Sequence, residues 1–291
     1  MARVPTEETA AARPVYDLVT ARADYPPWDG RPRRAILLCS HMRSGSTLLG
    51  EAMYATGCLG CPIEYFHRGF QPHLAERWQT QDFADYLATV YRWRTDPSGT
   101  LGVKLFWGDV EALCFQAWPN EEDQWRAGFA QGLTASAYAR IHALLTCLFP
   151  NPRWVYLRRR DRVRQAISLL RAGQTGTFRR FLDGNDPADR QPPEYDYDRI
   201  LRYVGLSDYC HAHWQQLFDA AILDPYLMAY EELAQDFSRT VGGLFHVLGL
   251  GDAVVTLPRL QRQADRLSEE FLAQFLSDYQ RRNGQQTGER P

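Results

Sequence analysis

The segment that first suggests chemistry is RSGST, which runs from Arg43 to Thr47. It combines a planar guanidinium, three hydroxyl side chains and a glycine that lets a ligand approach the backbone closely. A loop between a strand and a helix exposes unpaired N–H groups at the positive end of the helix dipole, and such a site suits phosphate. The residues predicted to bind phosphate are therefore Arg43, Ser44, Gly45, Ser46 and Thr47. A plain strand–turn–helix capped by hydroxyls is the alternative.

This loop differs from the nucleotide-binding motif G-x-x-x-x-G-K-[ST]. Ser40 stands at the first glycine position if Gly45 is the second, and Ser46 replaces the lysine that binds the β- and γ-phosphates. The third predicted strand also ends in RRRD, so cations occupy the place where an acidic magnesium ligand is expected. The pattern disfavours metal-assisted phosphoryl transfer and favours a ligand that carries a second, separate phosphate.

A site for that second phosphate is predicted after the third strand. Arg159 and Arg160 end the strand RWVYLRRR, and Ser168 lies inside the helix that follows. Arginine and serine side chains close to one another can hold one phosphate together. A surface arginine cluster beside a helical serine is the alternative, but a neighbouring phosphate loop on the same sheet makes the binding site the better interpretation.

The elements that must position these residues alternate along the chain. Apolar runs predict strands at 33–40, Leu101–Trp107, Arg153–Arg160 and Pro225–Tyr230. Helical spacing predicts helices at Thr47–Ala55, Leu74–Trp93, 109–117, 133–148, 161–172, 199–220, 237–249 and 265–282. This alternation predicts an α/β fold, a P-loop-like three-layer domain with a central parallel sheet of four to five strands flanked by helices.

Composition and charge exclude several classes of protein. The 291 residues carry a formal net charge of −2, which provides no overall basic field for nucleic acid. No apolar run reaches the roughly 18 to 20 residues of a membrane span, and the N-terminus lacks a signal-peptide pattern. A cytoplasmic protein is expected. CLGC, at 58–61, has no second cysteine pair at zinc-ligand spacing, so no metal site is predicted.

Taken in order along the chain, these motifs resemble sulfotransferases that use 3′-phosphoadenosine-5′-phosphosulfate (PAPS). RSGSTLL resembles the loop for the 5′-phosphosulfate, and RRRDRVRQAISLLRAGQT resembles the 3′-phosphate motif. The segments CPIEYF, GVKLFW, YEELAQDFSRTVGGLFHVLGL and RQADRLSEEFL add to this pattern. The resemblance covers residues from about 34 to 280. The chain is similar to the bacterial trehalose 2-sulfotransferase-like family.

The resemblance implies roles for particular residues. Glu64, the acid of PIEYF, would be the catalytic base. Arg159, with its neighbour Arg160, and Ser168 would hold the 3′-phosphate of the donor. Arg262 lies where such enzymes close over the donor, so it is a further donor-binding candidate.

Other assignments stay open at this level. His67 is a rival base, because histidine has the better unperturbed pKa for neutral pH. Glu64 could instead be a solvated loop carboxylate paired with Arg68. Lys104, in GVKLFW, could stabilise charge on the departing phosphate or reach solvent. SHMRSGST also has one residue more than the family loop before its arginine, which removes His41–Met42 from the expected ligands.

The resemblance also implies the overall reaction and the domain layout. A sulfuryl group would pass from PAPS to a hydroxyl of a carbohydrate, a glycolipid or another small molecule, with no metal required and with a homodimer left open. Residues 31–283 would form a single domain, with 174–198 as an acceptor-side lid. A flexible or extended segment, 1–30, would precede it, and a disordered tail, 284–291, would follow. The alternatives are a P-loop kinase or NTPase and a non-catalytic nucleotide-binding module.

Overall fold

The computed structural model describes residues 17–182, 191–251, 253–260 and 263–287. In this part of the chain four parallel strands form one sheet in the order β2-β1-β3-β4. Their bounds are β1 Arg34–Ser40, β2 Thr100–Phe106, β3 Arg153–Arg158 and β4 Tyr226–Ala229. An isolated parallel bridge between Ile63 and Val103 adds a short contact at the outer edge of β2. The predicted parallel α/β fold is confirmed.

Helices cover the sheet and extend the domain beyond it. The described helices are α1 Ser46–Ala55, α2 Gln71–Trp78, α3 Phe83–Arg94, α4 Trp107–Ala117, α5 Glu122–Gln131, α6 Ala135–Leu148, α7 Arg162–Thr175, α8 Tyr197–Ala220, α9 Tyr230–Gln235, α10 Phe237–Val247 and α11 Arg266–Thr287. None of the helices in these residues is long and apolar enough to cross a membrane.

The sheet is buried on both faces because its strands are apolar at almost every position. Alternate residues of β1 belong to different clusters: Leu37 packs with the α4, α6 and α8 side, and Leu38 packs with the α1 and α10 side. Lys104 lies opposite Leu38 in the parallel register. Its side chain therefore lies on the α1 side of the sheet, which is where the predicted phosphate loop ends.

The strand order places a crevice at the carboxyl end of β1. β2 pairs with one edge of β1 and β3 pairs with the other edge. The chain therefore moves to one side of β1 to form β2 and then to the other side to form β3. Ligands of open α/β sheets bind at such a switch point, outside the carboxyl ends of the strands. The loop after β1 and the residues after β3 meet there.

Two parts of the helix prediction were wrong in detail. The single helix expected over Leu74–Trp93 is divided into α2 and α3, because Gln79 adopts a left-handed conformation with φ 55° and Asp82 caps a new helix by accepting from the Asp85 N–H at 2.9 Å. Helices α5 and α9 were not predicted at all. Short polar interruptions within an apolar pattern are difficult to distinguish from an exposed helix face.

The chain ends also differ from expectation. The described residues of the segment 1–30 include two short 3-10 helices, in which Leu18, Val19 and Ala23 are buried. Arg94 fixes this segment by donating to the backbone oxygens of Leu18 and Ala23 at 2.7 and 3.3 Å. Residues 17–23 are therefore packed against α3. At the other end α11 continues to Thr287, so residues 284–287 of the predicted tail are helical, and 288–291 lie outside the described residues.

Candidate active site

The phosphate loop turns sharply before α1. Gly45 is the N-cap of that helix and has φ 85°, a left-handed conformation that suits glycine. A Cβ atom at this position would lie 2.8 Å from Cδ2 of Tyr230. Glycine is therefore required both by the turn and by the close approach of the first residue of α9. The turn leaves the first backbone N–H groups of α1 directed at the crevice.

Arg43 crosses the crevice instead of pointing to solvent. Its Nε donates to Ser168 Oγ at 2.9 Å, its Nη1 to the Phe178 carbonyl at 2.5 Å and its Nη2 to Gln263 Oε1 at 2.6 Å. These three acceptors are neutral, so the positive charge remains available to an anion. Burial, then the charges of Arg159 and Arg179, lower the pKa of Arg43 to about 10, and the guanidinium is still protonated at neutral pH.

The two arginines predicted for the second phosphate point in different directions. Arg159 is 6% exposed, lies 4.4 Å from the Tyr230 ring centroid and donates to the Arg43 carbonyl at 3.3 Å. Arg160 instead forms an exposed ion pair with Glu232. The structure brings Arg159 and Ser168 together with Arg43, and it places Arg160 outside the crevice.

A cavity of about 700 Å³ joins these groups. It is bordered by the phosphate loop, α7, the segment 177–180, the start of α9 and the segment 258–269. The arginines of its lining are Arg43, Arg159, Arg164, Arg171, Arg179 and Arg180. Two of them are paired with carboxylates of the same lining, Arg164 with Glu269 and Arg171 with Asp265. Its other side is apolar, with Tyr230, Leu233, Phe237, Pro258 and Leu260. The combination suits a molecule that has several anionic groups and a flat apolar part.

Glu64 and Lys104 form a buried pair beside the loop. Lys104 Nζ lies 2.8 Å from Glu64 Oε1 and also donates to Thr47 Oγ1 at 3.2 Å. The backbone sets up this contact, because the Lys104 N–H donates to the Ile63 carbonyl at 3.0 Å. The pair therefore connects the predicted base to the first turn of α1.

One oxygen of Glu64 remains available for chemistry. Within the described residues, Glu64 Oε2 is buried and has no hydrogen-bond partner. Burial raises the pKa of the Glu64 carboxyl, but the charges of Lys104 and Arg179 outweigh that effect and hold the pKa below its ordinary value. A buried carboxylate that stays ionised and keeps one open oxygen can accept a proton from a bound hydroxyl.

His67 is less suited to that role. Its Nδ1 accepts the Gly69 N–H at 3.1 Å, so the proton of the neutral imidazole is on Nε2. The nitrogen that remains is then a donor and not a base. Burial also lowers the pKa of His67. Its ring instead contacts the aromatic rings of Phe70 and Phe106, with centroids 6.4 and 6.1 Å away.

The extra residue of the loop, at His41–Met42, is accommodated by burial of the His41 side chain. His41 is 2% exposed, and its ring lies 6.5 Å from that of His211. Burial and the charge of Arg162 lower the pKa of His41 to about 4. The Met42 carbonyl accepts from Gln165 Nε2 at 2.7 Å. Both residues anchor the loop to α7 and α8 and do not belong to the cavity lining.

Several cavity residues were not among the sequence predictions. Gln263, Arg171 and Arg179 reach the cavity from segments that are distant in the chain. The segment FRR, at 178–180 of the predicted lid, contains Arg179. The sequence alone does not show that this side chain lines the cavity. Arg262, a predicted donor ligand, lies outside the described residues. No three His, Cys, Asp or Glu side chains in the described ranges are grouped as ligands for a metal ion.

Comparisons with known proteins show the family of the chain. The family model of the Stf0 sulphotransferases matches residues 35–278. Trehalose 2-sulfotransferase of Mycolicibacterium smegmatis is 28% identical over 273 residues, covering 85% of this chain and 96% of the relative. Trehalose 2-sulfotransferase of Mycobacterium tuberculosis is 29% identical over 273 residues, with the same coverage.

A solved structure, the sulfotransferase domain from the Synechococcus PCC 7002 olefin synthase, covers 86% of each chain at 15% identity and a TM-score of 0.32. A similarity this low supports no conclusion about this chain. The family match covers most of the described domain and includes the phosphate loop, Glu64, Lys104 and the arginine motif after β3. The chain belongs to the Stf0 sulphotransferase family and is an enzyme that transfers a sulfuryl group.

Proposed function

We propose that this enzyme transfers the sulfuryl group of PAPS to a hydroxyl of a carbohydrate or a related small molecule. The observation that carries the proposal is one chain of contacts. Lys104 Nζ binds both Glu64 Oε1 and Thr47 Oγ1, so a buried carboxylate with one open oxygen lies beside the phosphate loop. A donor in the loop and an acceptor at Glu64 would meet at this point.

Two anion positions support PAPS as the donor. The loop amides of Ser44–Thr47 with Arg43 suit a 5′-phosphosulfate, and Arg159 with Ser168 suits a separate 3′-phosphate. Ser44 also fits a ligand contact, because its hydroxyl is buried and lacks a hydrogen-bond partner in the described part of the chain. The apolar side of the cavity, formed by residues such as Phe237 and Leu260, suits an adenine ring.

The reaction follows from these positions. Glu64 Oε2 takes the proton of the acceptor hydroxyl as its oxygen forms a bond to sulfur. The bond between sulfur and the phosphate oxygen breaks, and its electron pair remains on the 5′-phosphate. Arg43, Lys104 and the loop amides stabilise the negative charge that develops there. Holding donor and acceptor in line supplies much of the acceleration.

A sugar acceptor is supported by the relatives and by the rings near Glu64. Both curated relatives are named trehalose 2-sulfotransferase. His67, Phe70 and Phe106 form an aromatic group next to the base, and their rings suit the apolar face of a sugar. Trehalose is therefore the first acceptor to test, followed by other glucosides and glycolipids.

The test is an acceptor screen with purified enzyme and PAPS. We expect a product heavier by one SO₃ group, together with stoichiometric 3′-phosphoadenosine 5′-phosphate (PAP), when a suitable sugar is present. Thermal shift gives an independent measurement, in which PAP should stabilise the protein without Mg²⁺. Stabilisation by ATP with Mg²⁺ but not by PAP would contradict the proposal and favour a kinase or NTPase.

A further inference from the structure

The segment 177–180 connects the two sides of the site. It follows α7 and ends where Phe181 forms an isolated bridge with Leu260 and the Leu182 N–H donates to the Arg259 carbonyl at 2.9 Å. Its residues line the same cavity as the phosphate loop. Its position agrees only in part with an acceptor-side lid, because the segment also borders the donor cavity.

Neighbouring residues of this segment contact two sides of the site. We call the side with the phosphate loop and Arg43 the donor side, and the side with Glu64 and Lys104 the base side. The Phe178 carbonyl accepts from Arg43 Nη1 at 2.5 Å, on the donor side. The guanidinium of Arg179 lies 5.5 Å from the ring centroid of Phe70, on the base side. Phe70 is tied to the base through a short turn, since its N–H donates to the His67 carbonyl at 2.8 Å and the His67 N–H donates to the Glu64 carbonyl at 3.2 Å. Arg179 therefore lines the cavity of the phosphate loop and also packs on the aromatic ring that follows Glu64 in the chain.

The charge of Arg179 acts on groups of both sides. The largest effects on the pKa of Glu64 and of Lys104 are burial and the interaction between the two groups. The charge of Arg179 comes next, and it lowers the pKa of both. After burial and the charge of Arg159, it also contributes to the lowered pKa of Arg43. One guanidinium therefore acts electrostatically on the base, the lysine and the donor-loop arginine.

We propose that Arg179 is a catalytic residue that binds the sulfonate oxygens of the group in transfer. This inference rests on the proposed function, because it takes the donor to be PAPS. The sulfur must pass between the 5′-phosphate in the loop and the acceptor oxygen at Glu64 Oε2. Arg179 is a planar donor of several N–H groups next to that path, and it can hold the three sulfonate oxygens while the acceptor–sulfur bond forms and the sulfur–phosphate bond breaks.

The test compares two nucleotides that differ only in the sulfuryl group. Arg179→Met and Arg179→Lys would be measured for affinity to PAPS and to PAP, without acceptor, and for kcat with the best acceptor. Arg126→Met is the matched control, because Arg126 also lies over a phenylalanine, 4.5 Å from the Phe115 ring centroid, but is exposed on α5.

We expect Arg179→Met to weaken PAPS binding about tenfold and to change PAP binding less than about twofold, because PAP lacks the group that Arg179 holds. We expect kcat to fall by about 100- to 1000-fold, as for loss of one donor to developing charge. Arg179→Lys should recover part of kcat, and Arg126→Met should behave as the wild type.

Two results would overturn the assignment. Equal weakening of PAPS and PAP would show that Arg179 binds a phosphate or supports the fold of the cavity. Unchanged PAPS affinity with unchanged kcat would show that it does not touch the transferred group. Failure of the wild-type enzyme to bind either nucleotide would instead refute the proposed donor, and that result is visible before any variant is made.

Discussion

The two sides of the site handle charge in opposite ways. On the donor side Arg43 has neutral oxygens as acceptors for its three hydrogen bonds. On the base side Lys104 and Glu64 neutralise each other at 2.8 Å, and only Glu64 Oε2 is left open. The difference indicates that the donor side keeps its positive charge for a ligand. The base side balances its charge internally, so in the proposed reaction it needs only a neutral hydroxyl.

The largest expected effect separates the two sides by function. Glu64→Gln keeps the shape of the side chain and removes the base, so kcat should fall by about 10²- to 10⁴-fold. PAP affinity should stay within about twofold, because the donor side is unchanged. Steady-state kinetics and isothermal titration measure the two quantities. The control is Glu122→Gln, an exposed glutamate on α5. Equal loss of binding and turnover would mean that the two sides are not separable.

Breaking the internal balance of the base side should reduce stability. Lys104→Met leaves the buried Glu64 carboxylate without its cation, which should lower the free energy of unfolding by about 3–5 kcal/mol at pH 7. Chemical denaturation measures this change. The double variant Lys104→Met/Glu64→Gln should recover most of the loss, because it removes both charges together. A double variant as unstable as the single one would contradict a balanced pair.

The same pair predicts the sign of a pH effect. The pKa of Glu64 in the folded enzyme lies below its ordinary value. Its contribution to stability is therefore present above the unfolded-state pKa and is lost as the pH falls through the folded-state pKa. Lys104→Met removes the cation that lowers the folded-state pKa of Glu64, so that pKa should rise and the acid limb of the kcat profile should move to higher pH. An acid limb that stays in place would exclude Glu64 as its source.

Substitutions on the donor side should change the affinity for the nucleotide. Arg43→Met removes the cation that joins the phosphate loop to Ser168, Phe178 and Gln263, so PAP affinity should fall by about 30-fold or more, equivalent to 2 kcal/mol or more. Arg160→Met provides the comparison, since Arg160 belongs to the same motif but pairs with Glu232 on the surface. We expect a change of less than about twofold for it. A similar loss in both variants would mean that a general positive field binds the donor.

The smallest expected effect concerns a single hydroxyl. Ser168→Ala removes one acceptor for Arg43 and one predicted donor to the 3′-phosphate, which together should cost about 1.5 kcal/mol, or roughly tenfold in PAP affinity. Affinity for adenosine 5′-phosphosulfate, which lacks the 3′-phosphate, should change less. Equal losses for the two nucleotides would place Ser168 at the other phosphate.

Local patterns predicted the strand, loop and helix around Gly45 because these parts are adjacent in sequence. A strand, a hydroxyl-rich loop with glycine and a helix define the phosphate loop without distant contacts. The base side could not be derived in this way. Glu64 and Lys104 meet because the backbone of Ile63 pairs with Val103 and Lys104 at the outer edge of β2. Such pairing depends on the whole sheet. The family resemblance alone indicated Glu64.

The arginines after β3 show a limit of a different kind. Side chains of an extended chain alternate between its two sides, and here Arg158 and Arg160 are exposed and Arg159 is buried. The sequence predicts that these side chains alternate, but it does not predict which of the arginines faces the crevice. That depends on α7 and α9, which form the walls of the cavity. Arg179 was missed for the same reason, since the first part of the predicted lid is fixed by the bridge between Phe181 and Leu260.

The burial of Lys104 has a practical consequence for following the enzyme in solution. It is the only lysine of the chain, and its side chain is 1% exposed. A reagent that acylates primary amines can therefore reach the single ε-amino group only when the region between β2 and α1 opens or unfolds. The rate at which Lys104 is acylated, read by peptide mass, reports opening of the catalytic centre without any engineered label. A donor bound in the phosphate loop should slow that rate.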